Sequence, residues 1–119
     1  VVQRLQADPH ITVIVPAYNE ALAITQTIEH IANTLASLSP AWDIVVVDDG
    51  SRDETALKVK QLPPTYHTTL VRFSRNFGKE YAITAGLSYA SGDIVICMDA
   101  DGQHSANLLV EMLNKWRDG

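Results

Sequence analysis

Four short apolar runs, each rich in β-branched residues, alternate along the chain with segments of helical periodicity. The runs cover residues 11–15, 44–47, 69–73 and 94–98. Strands that alternate with helices form parallel sheets, because each return to the start of the next strand needs a crossover. The sequence therefore predicts an α/β fold in which a Rossmann-like parallel sheet has helices on both faces, in the order βαβαβαβα.

The segments between these runs predict helices of different kinds. The first shows one apolar face, with members three or four positions apart: Ile24, Ile28, Ile31, Leu35 and Leu38. Ser51 followed by Glu54 has the pattern of a capping box, which predicts the start of the second helix. The third helix is predicted over 79–90, with a face of mostly small residues that suits close packing on the sheet: Ala82, Ala85, Gly86 and Tyr89.

Charge and hydropathy limit the environment and the partners. The net charge is −5, from 14 acidic against 9 basic residues, which gives no general surface for polyanions, so nucleic acid is not an expected partner. No apolar stretch approaches the roughly 20 residues that cross a bilayer, and the first residues lack a secretory signal. We expect one soluble, cytoplasmic domain over residues 1–119. Its lone Cys97 is predicted to lie in the core.

Polar residues gather where each predicted strand ends. The segments concerned are 16–20, 48–50, 74–79 and 99–104. The carboxyl ends of parallel strands share one edge of a sheet, and ligands bind outside that edge. We therefore expect the four segments to surround a single site.

The most informative of these segments is Asp99-Ala100-Asp101. Two carboxylates one residue apart point the same way in an extended backbone and repel each other unless a cation lies nearby. Mg²⁺ takes one or two carboxylates and completes its shell with water and substrate phosphates. With Gln103 as a third oxygen ligand, the segment predicts a divalent-metal site. The alternative is that both aspartates are turn or cap residues.

Asp48 and Asp49 end the second strand and precede Gly50. Their carboxylates are able to accept hydrogen bonds from a nucleobase N–H or a ribose hydroxyl. They are equally able to hold a metal, or to form a tight turn that leads into the next helix. The sequence leaves these roles open.

Segment 16–20 links the first strand to the first helix. Its backbone and the Tyr18 ring are suited to lining a base or ribose pocket, with Glu20 in reach of a hydroxyl. Proline, asparagine and glutamate are also ordinary residues at a helix start, so this segment alone does not decide its role.

Basic residues lie at the end of the third strand and just after it: Arg72, Arg75 and Lys79. Beside an acidic edge they are candidates for contact with a diphosphate. Salt bridges to the neighbouring acids are an equal alternative for each of them. Residues 76–78 predict a shaped loop to which the sequence assigns no chemical role.

Several nucleotide and catalytic signatures are absent from the sequence. It has no G-x-G-x-x-G after the first strand, no Walker-type loop, no G-x-S-x-G and no C-x-x-C. Dehydrogenase, P-loop NTPase, α/β-hydrolase and thiol-redox functions are therefore disfavoured.

Three segments together resemble the family 2 glycosyltransferases of the GT-A fold, in the family's order and approximate spacing over nearly the whole chain. They are Ile14-Val15-Pro16-Ala17-Tyr18-Asn19-Glu20, Val46-Val47-Asp48-Asp49-Gly50-Ser51 with Asp53 and Thr55, and Asp99-Ala100-Asp101. Arg75-Asn76-Phe77-Gly78-Lys79 and segment 99–104 are most similar to the polyprenyl-phosphate branch, which includes dolichol-phosphate mannosyltransferase and bactoprenol glucosyltransferase.

The resemblance implies that this domain is the nucleotide-sugar-binding half of a GT-A fold. The residues implied to contact the donor are Pro16, Ala17, Tyr18, Glu20, Asp48, Asp49, Lys79 and Asp99. Asp99, Asp101 and Gln103 are implied to hold Mg²⁺ or Mn²⁺. The implied reaction moves a sugar from UDP or GDP to an acceptor with inversion at the anomeric carbon.

In the branch that it most resembles, the acceptor is a lipid phosphate. The full-length protein is accordingly expected at the cytoplasmic face of a membrane. The acceptor-binding part and any catalytic base are expected beyond Gly119. Residues 1–119 alone are then expected to bind the donor with little or no transferase activity.

The main rival is a receiver-like or other Mg²⁺-binding regulatory module without transferase activity. A receiver domain also places acids at the ends of parallel strands. However, a complete strand-helix unit precedes the aspartate pair here, and no lysine-bearing fifth strand follows. A sugar nucleotidyltransferase is disfavoured because no glycine-rich loop follows the first strand.

Overall fold

A computed structural model of the protein describes residues 9–101 and 106–118. Strands and helices alternate throughout, which confirms the predicted order. The elements are β1 Ile11–Ala17, α1 Ile24–Leu38, β2 Trp42–Asp48, α2 Thr55–Lys60, a 3₁₀ turn Pro64–Tyr66, β3 Thr68–Arg72, α3 Lys79–Tyr89, β4 Ile94–Cys97 and α4 Ala106–Asp118.

The four strands form one parallel sheet in the order β3-β2-β1-β4. Every residue of β1 is buried, as expected for a central strand covered on both faces. Its register places Ile14 opposite Val45 on one side and Cys97 on the other. The predicted parallel, Rossmann-like sheet is confirmed.

Helices cover both faces of the sheet, as predicted. On one face, α1, α2 and α4 share a cluster with alternate residues of β1 and β2, including Ile28, Val59, Leu113, Val13 and Val46. On the other face, α3 lies over β1 and β2, and its Ala82 packs with Ile14, Val45 and Val47.

The close approach of α3 to the sheet depends on Gly86. A Cβ atom at this position would lie 2.5 Å from Cγ2 of Ile14. Ala82 is fully buried beside it, which confirms the small-residue face there. Tyr89 does not belong to that face: it is 57% exposed, and Ala90 packs against the cluster instead.

The strand β1 runs through Pro16 to Ala17, whereas the sequence predicted that Pro16 would end it. The Ile14 carbonyl accepts the N–H of Met98, so the backbone polar groups of residues 14 and 16 are directed toward β4. Since β4 ends at Cys97, Pro16 lies beyond the last residue of that pairing. The missing N–H of proline therefore costs no ladder hydrogen bond.

Cys97 is exposed, so the prediction that it lies in the core is wrong. It belongs to the edge strand β4 and, being level with Ile14, it points to the α3 face. Because α3 lies over β1 and β2, that face of β4 is left open. In the described part of the chain, no helix has the length and apolarity needed to cross a membrane.

Candidate functional site

The four polar segments, the last of them described as far as Asp101, meet around one cavity of about 200 Å³ at the carboxyl ends of the strands. Its walls come from the ends of β1, β2 and β4 and from the start of α3. The lining residues are Pro16, Ala17, Tyr18, Glu20, Asp49, Lys79, Asp99, Ala100 and Asp101. The convergence of these segments, which the sequence predicted from the fold alone, is confirmed.

The Asp49 carboxylate anchors the loop that precedes α3. Its Oδ1 accepts the N–H of Phe77 at 2.7 Å, and its Oδ2 accepts the N–H of Gly78 at 3.0 Å and Nδ2 of Asn76 at 3.2 Å. Asp49 is only 4% exposed. Sequence reasoning gave residues 76–78 no role, because no local pattern links them to a carboxylate 27 or more positions earlier.

Gly50 lets the loops after β2 and β3 touch. Its φ of +74° is in the region that favours glycine, and a Cβ there would lie 2.2 Å from the carbonyl carbon of Arg75. Glycine is therefore needed at this position both for its backbone angle and for space.

Asp48 is not among the residues that line the cavity. It is fully buried, and its Oδ1 accepts the N–H of Ser51 at 3.0 Å. Its Oδ2 has no hydrogen-bond partner in the described part of the chain, although Nε of Arg72 lies 3.5 Å away. Of the three roles left open, the turn is the one that these contacts show.

Side-chain hydrogen bonds join the loop after β1 to the loop after β2. Asn19, at φ +53°, donates its N–H to Oγ of Ser51 at 2.8 Å and accepts the N–H of Arg52 at 2.8 Å. The N–H of Glu20 donates to Oγ1 of Thr55 at 2.9 Å. The backbone of Glu20 is thereby fixed from the neighbouring loop.

These contacts replace the capping box predicted at Ser51 and Glu54. Glu54 caps α2 without a side-chain hydrogen bond, and the Ser51 hydroxyl is directed to the other loop. Asp53 accepts the N–H of Thr55 at 3.0 Å and the N–H of Ala21 at 3.1 Å. The local pattern of a capping box does not show that a loop more than 30 residues away bonds to the same side chains.

Two carboxyl groups here have shifted pKa values. Burial, followed by the negative charges of Asp101, Asp53 and Asp99, raises the pKa of Glu20 above its usual range. Burial also acts to raise the pKa of Asp53, but hydrogen bonds from Thr55 and Ala21 outweigh it and lower that pKa. Burial and the neighbouring acids thus both disfavour the ionised form of Glu20.

Two of the three basic residues form the salt bridges that the sequence left open as an alternative. Nζ of Lys79 lies 2.5 Å from Oδ1 of Asp99, and Arg72 lies beside Asp48. The guanidinium of Arg75 stacks over the Phe77 ring, 4.5 Å from its centroid. Among the residues described, Lys79 is the single base that lines the cavity.

Asp99 and Asp101 are the described members of the predicted metal-binding trio, and Gln103 lies outside the described residues. Residues 9–101 and 106–118 contain no group of three or more His, Cys, Asp or Glu side chains placed to hold a metal ion. The donor chemistry fits a hard divalent cation all the same, because the two carboxylates of Asp99 and Asp101 line one cavity. Between them, the buried carbonyl of Ala100 accepts the Thr27 hydroxyl at 3.2 Å.

A parallel sheet with helices on both faces and an acidic cavity at the strand ends defines a Rossmann-like α/β domain of the GT-A type. Residues 12–119 match the model of glycosyl transferase family 2. The chain belongs to this family. The receiver-domain alternative is therefore set aside.

Individual relatives agree with this assignment. The chain is 38% identical over 113 residues to an uncharacterised glycosyltransferase of Synechocystis, covering 92% of this chain and 35% of the relative. It is 35% identical to the undecaprenyl-phosphate 4-deoxy-4-formamido-L-arabinose transferase of Salmonella choleraesuis, covering 92% of this chain and 34% of that protein. It thus spans about a third of the length of these relatives.

A solved structure supports the same fold. The mannosyltransferase PcManGT of Pyrobaculum calidifontis, in complex with GDP-Man and Mn²⁺, superposes with a TM-score of 0.74 at 35% identity. The match covers 82% of this chain and 29% of that protein.

Proposed function

We propose that this chain forms the donor site of a glycosyltransferase that uses a UDP- or GDP-linked sugar. The observation that carries the proposal is the composition of the cavity, which places an aromatic and backbone surface beside an acidic group. The aromatic and backbone surface comes from Pro16, Ala17 and Tyr18, and the acidic group comes from Asp99 and Asp101. A nucleoside diphosphate has the same two parts, a flat base with its ribose and a charged diphosphate.

The base and ribose would lie against segment 16–20 and Asp49. Tyr18 is 43% exposed and offers its ring to a ligand, while Glu20 presents a carboxylate to ribose hydroxyls. Three donors from the loop before α3 already bind the Asp49 carboxylate, so its orientation is fixed before any ligand arrives. A preoriented acceptor costs little conformational entropy when it meets a base N–H.

A divalent cation, Mg²⁺ or Mn²⁺, would be held by Asp99 and Asp101, with Gln103 as the third predicted ligand. When bound, it would neutralise the diphosphate and act as a Lewis acid for its departure. The presence of Mn²⁺ with GDP-Man in the Pyrobaculum calidifontis structure supports this assignment. The hydroxyl of Thr27 would contribute by holding the carbonyl of Ala100 between the two aspartates.

For the full-length protein we propose a polyprenyl or dolichyl phosphate as acceptor, with inversion at the anomeric carbon, at the cytoplasmic face of a membrane. The named activity of the Salmonella relative supports the lipid-phosphate class. A phosphate is already an anionic nucleophile, so it needs less proton removal than a hydroxyl acceptor. We assign acceptor binding, and any catalytic base, to residues outside 1–119. On this proposal, residues 1–119 alone bind the donor and have little or no turnover.

Calorimetric titration with UDP and with GDP, each with and without Mn²⁺, tests the proposal. We expect metal-dependent binding of one nucleotide, which identifies the donor base. The double variant Asp99→Asn/Asp101→Asn should lose that binding. A matched double variant on the surface of α4, Glu111→Gln/Asp118→Asn, removes the same charge and should keep it. Metal-dependent binding that survives in the first variant would contradict the assigned metal site.

A further inference from the structure

Lys79 occupies a position where its backbone is fixed and its side chain is largely exposed. It is the first residue of α3, directly after the loop that Asp49 holds through the N–H groups of Phe77 and Gly78. The Phe77 ring also packs edge-on against Phe73, with 5.5 Å between the ring centroids. From this fixed backbone position, the flexible side chain of a lysine is able to move its ammonium group by several ångströms.

The ammonium of Lys79 lies in an environment of carboxylates. Glu20, Asp49, Asp99 and Asp101 line the same cavity, and Lys79 is the single base among the described lining residues. The Asp49 carboxylate already accepts three hydrogen bonds from the loop. Lys79 contacts Asp99, the first aspartate of the acidic motif, at 2.5 Å, and the two side chains are 60% and 39% exposed.

A partly exposed ion pair of this kind is weak and exchangeable. Pairs between exposed side chains contribute little net free energy, since water and ions compete for both partners. A divalent cation offers Asp99 twice the charge of an ammonium. It would also repel the Lys79 ammonium, while a diphosphate held nearby would attract it.

We propose that Lys79 is a built-in counter-cation for Asp99 that competes with the divalent metal and turns to the substrate diphosphate when the metal is present. The inference rests on the proposed function and deepens it. It gives Lys79 two successive partners, a carboxylate in the empty site and a phosphate in the loaded one. Without substrate, Lys79 lowers metal affinity, and with substrate it adds to nucleotide affinity.

The first test is a Mn²⁺ titration of the full chain without nucleotide, followed by the EPR signal of the free ion. Lys79→Met should bind Mn²⁺ about two- to fivefold more tightly than the wild type, the range expected when an exposed ion pair is removed. Lys79→Arg keeps the charge and should resemble the wild type. The matched control Lys60→Met removes an exposed lysine near the end of α2 and should leave Mn²⁺ affinity unchanged.

The second test repeats the titration in an Asp99→Asn background. Competition through Asp99 predicts that Lys79→Met no longer tightens Mn²⁺ binding there. The third titrates UDP and GDP at saturating Mn²⁺, where Lys79→Met should weaken binding of the preferred nucleotide. The counter-cation role predicts that Lys79→Met raises the affinity for Mn²⁺ and lowers the affinity for nucleotide. A purely structural role would lower both affinities.

The outcomes separate this inference from the proposed function. If the wild type binds Mn²⁺ and Lys79→Met binds it equally or less tightly, the counter-cation role is overturned and the donor site stands. Equal tightening in the Asp99→Asn background overturns the role too, because the effect then does not pass through Asp99. If no variant binds Mn²⁺, the metal part of the proposed function fails, and this inference fails with it.

Discussion

The carboxylate of Asp49 accepts the backbone N–H of Phe77 at 2.7 Å, across the gap between the loops after β2 and β3. It also accepts the N–H of Gly78 and the side-chain amide of Asn76. A residue expected to touch the nucleobase is therefore also the anchor of the loop that delivers Lys79. The two roles have different consequences for stability, which makes them separable.

Asp49→Asn should destabilise the protein by about 1–3 kcal/mol, because an amide group replaces one acceptor oxygen and leaves a partly buried N–H without its partner. Urea denaturation measures the loss. The control Asp93→Asn affects a carboxylate that accepts one exposed hydrogen bond, from the N–H of His10, and should cost about 1 kcal/mol or less. Unchanged stability in Asp49→Asn, together with weaker nucleotide binding, would mean that Asp49 serves the ligand alone.

Gly50→Ala should be more destabilising than Gly78→Ala, although both glycines have positive φ, +74° and +109°. At Gly50 the added Cβ meets the backbone of Arg75, whereas at Gly78 nothing lies within 4 Å of it. We expect a loss of about 1–2 kcal/mol from backbone strain at Gly78. The steric overlap at Gly50 should bring the loss to about 4 kcal/mol or prevent folding. Thermal unfolding of both variants checks the order, and equal losses would contradict the loop contact.

Much of this architecture could be predicted from the sequence because its signals are local. The β-branched runs that form β1 and β2, and the apolar spacing from Ile24 to Leu38, depend only on side-chain period and burial. The position of the polar segments at one edge of the sheet then follows from the parallel topology. The same reasoning found the lining residues of the cavity, since each lies at the end of a strand, shortly after one, or at the start of a helix.

The features that sequence reasoning missed depend on contacts between distant segments. Ser51 has the pattern of a cap, yet its hydroxyl accepts the N–H of Asn19, because the loops after β1 and β2 lie side by side. The role of Asn76 can be predicted only when the position of Asp49 is known. The exposure of Cys97 can be predicted only when β4 is known to be an edge strand. Local periodicity contains none of these relationships.

Glu20 should respond to the acids around it. Its pKa is raised by burial first and by Asp101 next, so Asp101→Asn should lower the pKa of Glu20 in an NMR titration of its side-chain carboxyl. Asp118→Asn changes a distant, exposed aspartate of α4 and should not move it. An unchanged pKa in Asp101→Asn would show that the two carboxylates are not coupled.

The raised pKa of Glu20 also sets the sign of a stability effect. The folded state holds the Glu20 proton more tightly than the unfolded state, so ionisation costs stability as pH rises through the raised pKa. Glu20→Gln should therefore stabilise the protein at neutral pH. The gain should disappear as pH falls below the usual pKa of a glutamate, where both states are protonated. Denaturation curves across this pH range give the comparison.

Thr27 should support the acidic motif from within the core. Its hydroxyl donates to the carbonyl of Ala100, and both residues are buried, at 8% and 3% exposure. Thr27→Val keeps the shape but leaves that carbonyl without its donor, so we expect a loss of about 1–3 kcal/mol and weaker Mn²⁺ binding. Thr34→Val removes another hydroxyl of the same helix, one that donates to the exposed carbonyl of His30. It should change stability by about 0.5 kcal/mol or less and leave Mn²⁺ binding intact, so equal effects of the two substitutions would refute the role of Thr27.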